Sequence, residues 1–160
     1  MRLQVIAVGR LKAGPERDLC RRYEERFRPL LRACGLRDLK VVELAESAAR
    51  RPEDRQADEA RAILAQAPAS TARIVLDERG ASLSSAEFAA LLQRTRDEGT
   101  HLLSFVVGGP DGLAPEVRSG AMMVLGFGRL TLPHQIVRAL LFEQLYRAGT
   151  ILTGHPYHRS

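Results

Sequence analysis

Five short apolar runs alternate along the chain with longer segments in which apolar residues recur at helical spacing. The apolar runs predict strands at residues 3–9, 39–45, 72–78, 101–109 and 122–128. The other segments predict helices at residues 15–28, 52–67, 82–98, 113–120 and 134–153. This alternation is typical of an α/β fold with a mainly parallel sheet and helices on both faces. Ligands of such folds bind beyond the carboxyl ends of the strands.

The length and composition favour a single domain that spans residues 1–160. A chain of 160 residues can bury about 70% of its unfolded surface around one core. Its 45% apolar and 27% charged residues are typical of a soluble protein. No apolar run reaches the roughly 18 residues of a membrane span. Cys20 and Cys34 form no C-x-x-C pair, and the first residues do not read as a secretory signal. We therefore expect a cytoplasmic protein without a membrane partner.

The charge balance favours an anionic partner. The formal net charge is +5 and the sequence pI is near 9.9, as is common for proteins that bind nucleic acid. All but two of the 24 cationic side chains are arginine, whose planar fork matches phosphate. An excess of arginine also arises from GC-rich coding, so both explanations stay open.

Two glycine-containing loops follow apolar strands. The first, "VVGGPDGL" at 106–113, could offer bare backbone N–H groups to a ligand, and a side chain at Gly109 would then block that approach. The second, "LGFGRLTLP" at 125–133, could face it across one pocket. The alternatives are a simple Pro-Asp-Gly turn and an ordinary strand-to-helix connection. Neither the dinucleotide fingerprint nor the phosphate loop of nucleotide-binding proteins is present, which disfavours a nucleotide-cofactor oxidoreductase.

The last predicted helix, 134–153, carries apolar residues around nearly its whole circumference. A helix that is apolar on all sides is buried on all sides. We expect one face to pack on the sheet and another face, which includes Leu145, to meet a second subunit in a homodimer. Glu143 and Arg147 are four residues apart and could pair with each other.

The tail "HPYHRS" at 155–160 concentrates groups that can do chemistry. His158 could transfer a proton near neutral pH, Tyr157 could stack on a base and Arg159 could hold a phosphate. The alternative is an ordinary frayed terminus. His155 and His158 lack further ligands at a plausible spacing, so we predict no metal site.

Arginines also recur along the first predicted helix, at Arg17, Arg21, Arg28 and Arg32. If the helix continued past Pro29, this stripe could follow a line of phosphates. Neighbouring acidic residues partly neutralise it, so an ordinary solvated face is the alternative.

The motifs together resemble a known family. They are "LQVIAVGRLK" at the start, "RIVLDERG", "VVGGPDGL", "LTLPHQIVRALLFEQLYRA" and a terminal "HPYHR". This combination resembles the bacterial RlmH family of the SPOUT superfamily, small methyltransferases that act on a pseudouridine in 23S (large-subunit) ribosomal RNA. The resemblance runs from residue 1 to 159, and residues 10–70 are its least diagnostic part.

The resemblance implies a C-terminal trefoil knot, a homodimer built on the last helix, and S-adenosylmethionine (S-adenosyl-L-methionine) as the cofactor. The residues that match the cofactor-binding loops are Leu76, Gly108, Gly109, Gly128, Arg129, Leu130, Thr131, Leu132 and Pro133. The tail of one subunit would close over the cofactor pocket of the other. The sequence has "GFGRLTLP" at 126–133, where small polar residues would be expected before L-T-L-P. From residues 127–129, backbone contacts are therefore expected rather than side-chain contacts.

The reaction implied is transfer of a methyl group to N3 of the pseudouridine, in an assembled ribosome. On this resemblance His158 is the candidate acceptor of the N3 proton and Tyr157 would stack on the base. Arg159 and Arg147 would contact phosphate or cofactor, and His134 would orient the target or cap its own helix. The competing hypotheses are a non-catalytic RNA-binding or ribosome-associated protein and a SPOUT methyltransferase with another RNA target.

Overall fold

The computed structural model describes residues 1–68 and 71–158. The strands are β1 (Arg2–Val8), β2 (Asp38–Leu44), β3 (Ala72–Ala81), β4 (Leu102–Val107) and β5 (Met123–Leu125). The helices are α1 (Pro15–Phe27), α2 (Pro52–Gln66), α3 (Ser85–Asp97), α4 (Pro115–Ser119) and α5 (His134–Leu152). A 3₁₀ turn at Arg28–Leu30 follows α1. All ten predicted elements are therefore present, with ends that differ by a few residues.

The strands form one sheet in the order β2-β1-β4-β3-β5, and every neighbouring pair is parallel. Val5 on β1, for example, lies in register with Val41 on β2 and Phe105 on β4. The carboxyl ends of the strands consequently meet at one edge, and the predicted α/β fold is confirmed. The trefoil knot concerns how the chain threads around this sheet, and it stays a prediction.

Both faces of the sheet are buried under helices, as predicted. Side chains of successive strand residues point to opposite faces. On β1, Leu3 and Val5 join the larger core cluster with α1, α3 and α5, whereas Ile6 and Val8 join a second cluster with α2 and α4. This burial on two sides explains why the strands appear as continuous apolar runs in the sequence.

Helix α5 packs between α1 and α3 on the larger core, so its own chain covers most of its apolar surface. Leu141, Phe142, Leu145 and Ala148 are all at most 1% exposed. The sequence argument that assigned this surface to a second subunit is therefore wrong for most of the helix, including Leu145. The homodimer itself stays a prediction. Within the described ranges, none of the helices is long and apolar enough to cross a membrane.

Local capping chemistry sets the start of α3. The Ser84 hydroxyl accepts a hydrogen bond from the Glu87 backbone N–H at 3.2 Å, and the Glu87 carboxylate accepts one from the Ser84 N–H at 2.7 Å. This capping box satisfies N–H groups that the first helical turn leaves free. The helix therefore begins at Ser85 and not at residue 82 as predicted.

The arginine stripe of the first helix is not a free cationic line. The α-helix ends at Phe27, before Pro29, so the stripe does not continue along a single helix. Arg21 pairs with Glu25 at 2.7 Å, and Arg28 with Glu24 at 2.5 Å. These pairs favour the interpretation as an ordinary solvated face.

Gly80, near the end of β3, allows the backbone of β5 to approach closely. A Cβ atom at position 80 would lie 2.5 Å from the Leu125 carbonyl carbon and 2.7 Å from the Gly126 nitrogen. We predict that Gly80→Ala lowers the free energy of unfolding by about 2 to 3 kcal/mol, because backbone cannot move aside cheaply. Urea denaturation measures this loss. Ser82→Ala, at a nearby exposed position, should change stability by less than about 0.5 kcal/mol, and an equal effect of both substitutions would contradict the close approach.

Candidate active site

A cavity of about 750 Å³ opens at the carboxyl ends of β3, β4 and β5. Most of its lining comes from segments 76–79, 107–113 and 127–134. The two glycine-containing loops therefore line one cavity, as the sequence predicted. This position is also where ligands bind in parallel α/β sheets.

The cavity brings together most of the predicted cofactor-binding residues. Those that line it are Leu76, Gly108, Gly109, Gly128, Leu130, Thr131, Leu132 and Pro133. Arg129 is exposed and is not among the lining residues. The exposed side chain agrees with the expectation that residues 127–129 contribute backbone contacts, and the contact through Arg129 stays a prediction.

The loop after β4 is fastened to helix α2. Arg55 binds the Asp111 carboxylate with two hydrogen bonds, of 2.6 and 2.9 Å, and the Gln56 side chain donates to the Asp111 carbonyl at 2.6 Å. The hydrogen bonds from Arg55 hold the pKa of Asp111 below its usual value. Sequence analysis missed Arg55 and Gln56, because nothing in the chain signals a pair of residues more than fifty positions apart.

Gly109 packs against the protein on the side that faces α2 and β1. A Cβ atom there would lie 3.0 Å from a Glu59 carboxylate oxygen and 3.0 Å from a Val8 methyl group. Glu59 is only 5% exposed, and burial raises its pKa. A side chain at position 109 would thus displace the loop by colliding with Glu59 and Val8. The physical reason differs from the sequence argument, in which the side chain would block the ligand's approach.

A half-buried ion pair lines the cavity. An Asp77 carboxylate oxygen lies 3.2 Å from Nη1 of Arg118 on α4, and the same nitrogen donates to the Leu113 carbonyl at 2.8 Å. The other Asp77 oxygen accepts from the Arg79 backbone N–H at 3.0 Å. The pair ties the end of β3 to the loop after β4. Nothing in the sequence signals that Arg118 meets Asp77.

Segment 127–134 is tied to segment 76–79. The Thr131 hydroxyl donates to the Glu78 carboxylate at 2.6 Å. This bond joins residues 53 positions apart and holds segment 127–134 beside the end of β3. The three segments that form most of the cavity lining, 76–79, 107–113 and 127–134, are therefore joined to one another by polar contacts.

His134, the first residue of α5, also lines the cavity. Its Nε2 atom lies 4.0 Å from a Glu46 carboxylate oxygen. One turn later, Arg138 contacts Glu43 at 2.7 Å and the Gly9 carbonyl at 3.4 Å. Helix α5 has no side-chain cap at its first turn, so of the two predicted roles of His134 only orientation of a ligand fits its position.

The tail folds back onto the middle of α5. The Tyr157 hydroxyl donates to Glu143 at 3.1 Å, and the Arg147 guanidinium lies 4.8 Å from the centre of the Tyr157 ring. The Tyr146 ring packs against the same ring at 4.6 Å. Arg147 and Glu143 also pair at 2.5 Å, as the sequence suggested. The tail up to residue 158 is thus packed, and Tyr157 already has aromatic and cationic partners in its own chain.

His158 lies beside this cluster with its Nδ1 atom shielded from solvent and without a hydrogen-bond partner. Arg159 lies outside the described residues. Arg147, Tyr157 and His158 do not line the cavity. Val137, which does, precedes Arg147 by ten residues of α5, or about 15 Å along the helix axis. One chain therefore does not bring the catalytic candidates to the cofactor cavity.

In the part of the chain that the structure describes, no group of three or more histidine, cysteine, aspartate or glutamate side chains could hold a metal ion. The chemistry available at the cavity is that of backbone N–H groups and two ion pairs, and the polar cluster of the tail lies apart from it. These groups can bind and orient a small molecule, and His158 can accept a proton.

The environment of Tyr157 predicts its titration. Burial, a hydrogen bond with Tyr23 and the negative charge of Glu143 raise the pKa of Tyr157 from 10.0 to about 12. We expect the absorbance difference between the wild type and Tyr157→Phe to titrate near pH 12. Because the folded chain holds this proton more tightly than the unfolded chain, the stabilisation is complete below pH about 10 and is lost as the pH rises toward 12.

Removal of the nearby charge supplies the control for this titration. Glu143→Gln should lower the midpoint of Tyr157 but leave it above 10, because burial persists. Glu116→Gln, which removes an exposed carboxylate on α4, should leave the midpoint unchanged. A wild-type midpoint near 10 would contradict the packed position of the tail.

Comparisons with known proteins agree with this geometry. A family model described as "Predicted SPOUT methyltransferase" matches residues 1–158. The chain is 55% identical to a protein of Rhodopseudomonas palustris strain CGA009 and 53% identical to one of Xanthobacter autotrophicus strain Py2, over 100% of both chains in each case. Both relatives are named ribosomal RNA large subunit methyltransferase H. The match over nearly the whole length, together with the cavity at the strand ends, shows that the chain belongs to the SPOUT methyltransferase family.

Proposed function

We propose that this chain transfers a methyl group from S-adenosylmethionine to N3 of a pseudouridine in large-subunit ribosomal RNA. The observation that carries the proposal is the cross-linked cavity at the ends of β3, β4 and β5 in a chain 55% identical to a named ribosomal RNA large subunit methyltransferase H. The pseudouridine target and the cofactor come from the resemblance of the motifs, and the cavity supplies the place where the cofactor would bind.

The cavity suits this cofactor in size and chemistry. Its volume of about 750 Å³ lies within the roughly 300 to 1,000 Å³ typical of small-molecule sites. The apolar side chains of Leu76 and Leu125 suit a purine ring, and the backbone of segment 108–112 can hydrogen-bond to polar groups. When bound, S-adenosylmethionine supplies an activated methyl group on a sulfonium.

The protein's own contribution to the reaction is mainly positioning. Holding two reactants in line can supply roughly 7 to 11 kcal/mol of the barrier at most. The N3 proton of the target must also leave, which requires an acceptor. Tyr157 is a poor acceptor, because its pKa of about 12 keeps the phenol protonated at neutral pH. His158 carries an imidazole, a ring that can accept a proton, and is the better candidate.

The separation of cavity and tail requires a second chain. Glu143 and Arg147, which hold the tail, lie about 9 and 15 Å along the axis of α5 from Val137 in the cavity, so the tail of one subunit would act at the cavity of its partner. Partly exposed apolar side chains on α5, Ile136, Leu140 and Ile151, together with Leu130 at 77% exposure, offer surface for this contact. Leu145 does not, because it lies in the core of its own chain.

The anchor of the glycine loop gives a test of cofactor binding. Arg55→Gln removes the paired hydrogen bonds to Asp111 and should raise the dissociation constant for S-adenosylmethionine on the order of tenfold. Calorimetry measures the constant. Arg61→Gln, on the same helix but paired only with the exposed Asp58, is the matched control and should bind like the wild type. Equal affinities of all three proteins would refute the assignment of the loop after β4 to cofactor binding.

Mixed dimers test whether the tail acts on the partner's cavity. One chain carries Gly109→Val, which displaces the cavity loop, and the other ends at Pro156 and lacks the tail. Each variant alone should be inactive. A random mixture should regain about one quarter of the wild-type activity, because half the dimers are mixed and each holds one complete site. The assay is single-turnover transfer of a labelled methyl group to ribosomes.

The outcome separates the two arrangements of the site. If the tail acted within its own chain, a mixed dimer would contain no complete site and the mixture would stay inactive. Sedimentation of the mixture must show that mixed dimers form. Inactivity can then be attributed to the arrangement of the site and not to a failure of the two variant chains to associate. Activity of the tail-less protein by itself would show that the tail has no part in the reaction.

A further inference from the structure

We propose that a second cavity, at the opposite edge of the sheet, binds backbone phosphates of the RNA substrate. The cavity has a volume of about 420 Å³ and lies where β1 and β4 begin. It is lined by Met1, Arg2, Arg37, Arg96, Gly99, Thr100 and His101. This inference rests on the proposed function, because it assigns an additional anchor for the same RNA.

The sheet brings the cationic residues of this cavity side by side. The Arg2 backbone N–H donates to the His101 carbonyl at 2.8 Å, and the Arg37 N–H donates to the Met1 carbonyl at 2.9 Å. Arg2 lies in register with Asp38 on β2 and Leu102 on β4. Residues 37 and 101 therefore lie beside Met1, one position before Arg2, immediately ahead of the two neighbouring strands.

Two of the arginines carry uncompensated charge. Arg96 is balanced, since it pairs with Asp97 at 2.7 Å and donates to the Cys34 carbonyl at 2.5 Å. It forms a fixed wall of the cavity. Arg2 and Arg37 are exposed, and neither takes part in an ion pair among the described residues. Two guanidinium groups are therefore free to bind an anion.

The nearby acidic groups do not cancel this charge. Asp38, which is in register with Arg2, lies 3.8 Å from Arg28 and forms no ion pair with Arg2 or Arg37 among the described residues. The carboxyl end of α3, where a helix carries partial negative charge, lies next to the cavity. The N–H groups of residues 98–100 donate hydrogen bonds to the last carbonyls of this helix and so offset that charge. Among the described residues, no aspartate or glutamate lines the cavity. The cofactor cavity differs, because Asp77, Glu78 and Asp111 line it.

The position of the cavity favours an extended polyanion over a small anion. The seven residues of β1, at roughly 3.3 Å each, separate the two edges of the sheet by about 23 Å. A ligand in the cofactor cavity cannot reach the arginines, whereas a folded RNA presents phosphates over that distance. Guanidinium groups match phosphate geometry, and the net charge of +5 attracts a polyanion.

The test compares two double variants with equal net charge. Arg2→Ala with Arg37→Ala removes the free cations of the cavity. Arg50→Ala with Arg61→Ala removes two exposed arginines outside it and is the matched control. Binding of each protein to large-subunit ribosomal RNA is measured without cofactor over a range of salt concentrations. Thermal unfolding is followed alongside, to show that both variants fold.

For the cavity variant, we expect the slope of log affinity against log salt to become shallower by about 1.4 to 1.8. Its affinity should fall on the order of 10- to 30-fold at roughly 0.15 M salt relative to the wild type. Methyl transfer at saturating RNA and affinity for S-adenosylmethionine should stay at wild-type values. A slope equal to that of the control variant would overturn the proposal.

This design keeps the two proposals separate. If the wild type transfers the methyl group while both variants share one slope, the phosphate site is wrong and the proposed function stands. If the slope changes as expected but the wild type transfers no methyl group to ribosomal RNA, the phosphate site stands and the proposed function is wrong.

Discussion

The burial of α5 between α1 and α3 fixes both parts of the candidate site. The first turn of the helix contributes His134 and Val137 to the cavity, and its middle holds the tail through Glu143 and Arg147. Because a buried helix cannot bend or shorten cheaply, Glu143 and Arg147 stay about 9 and 15 Å along its axis from Val137. The proposal of a second subunit thus rests on the rigidity of α5 and not on its apolar surface, which is largely covered by its own chain.

The cavity is held open by polar contacts between its loops. The Arg55–Asp111 and Asp77–Arg118 pairs and the Thr131–Glu78 hydrogen bond join segments that are far apart in the sequence. Loops fixed in this way lose little further freedom when a ligand binds, which favours affinity and precise orientation. A protein that only binds RNA would gain nothing from such a cavity. The basic charge fits both kinds of protein, so the cavity is what favours an enzyme.

The sequence predicted local features well and long-range ones poorly. Strands buried on both faces leave unbroken apolar runs, and the glycine loops at their ends mark the cavity directly. The start of α3 was misplaced because serines precede the true cap, Ser84. The error about α5 arose because an apolar helix looks the same whether a neighbouring helix or another subunit covers it. Arg55 and Arg118 escaped detection, because only the folded chain shows which carboxylate each arginine meets.

The central claim is that this cavity and this tail together methylate N3 of a pseudouridine in large-subunit ribosomal RNA. Mass spectrometry of ribosomal RNA from a strain that lacks the protein tests it most directly. The account predicts that one methylated pseudouridine becomes unmethylated, and that the full chain restores the methyl group whereas a chain ending at Pro156 does not. Unchanged methylation in the strain without the protein, or full restoration by the shortened chain, would contradict it.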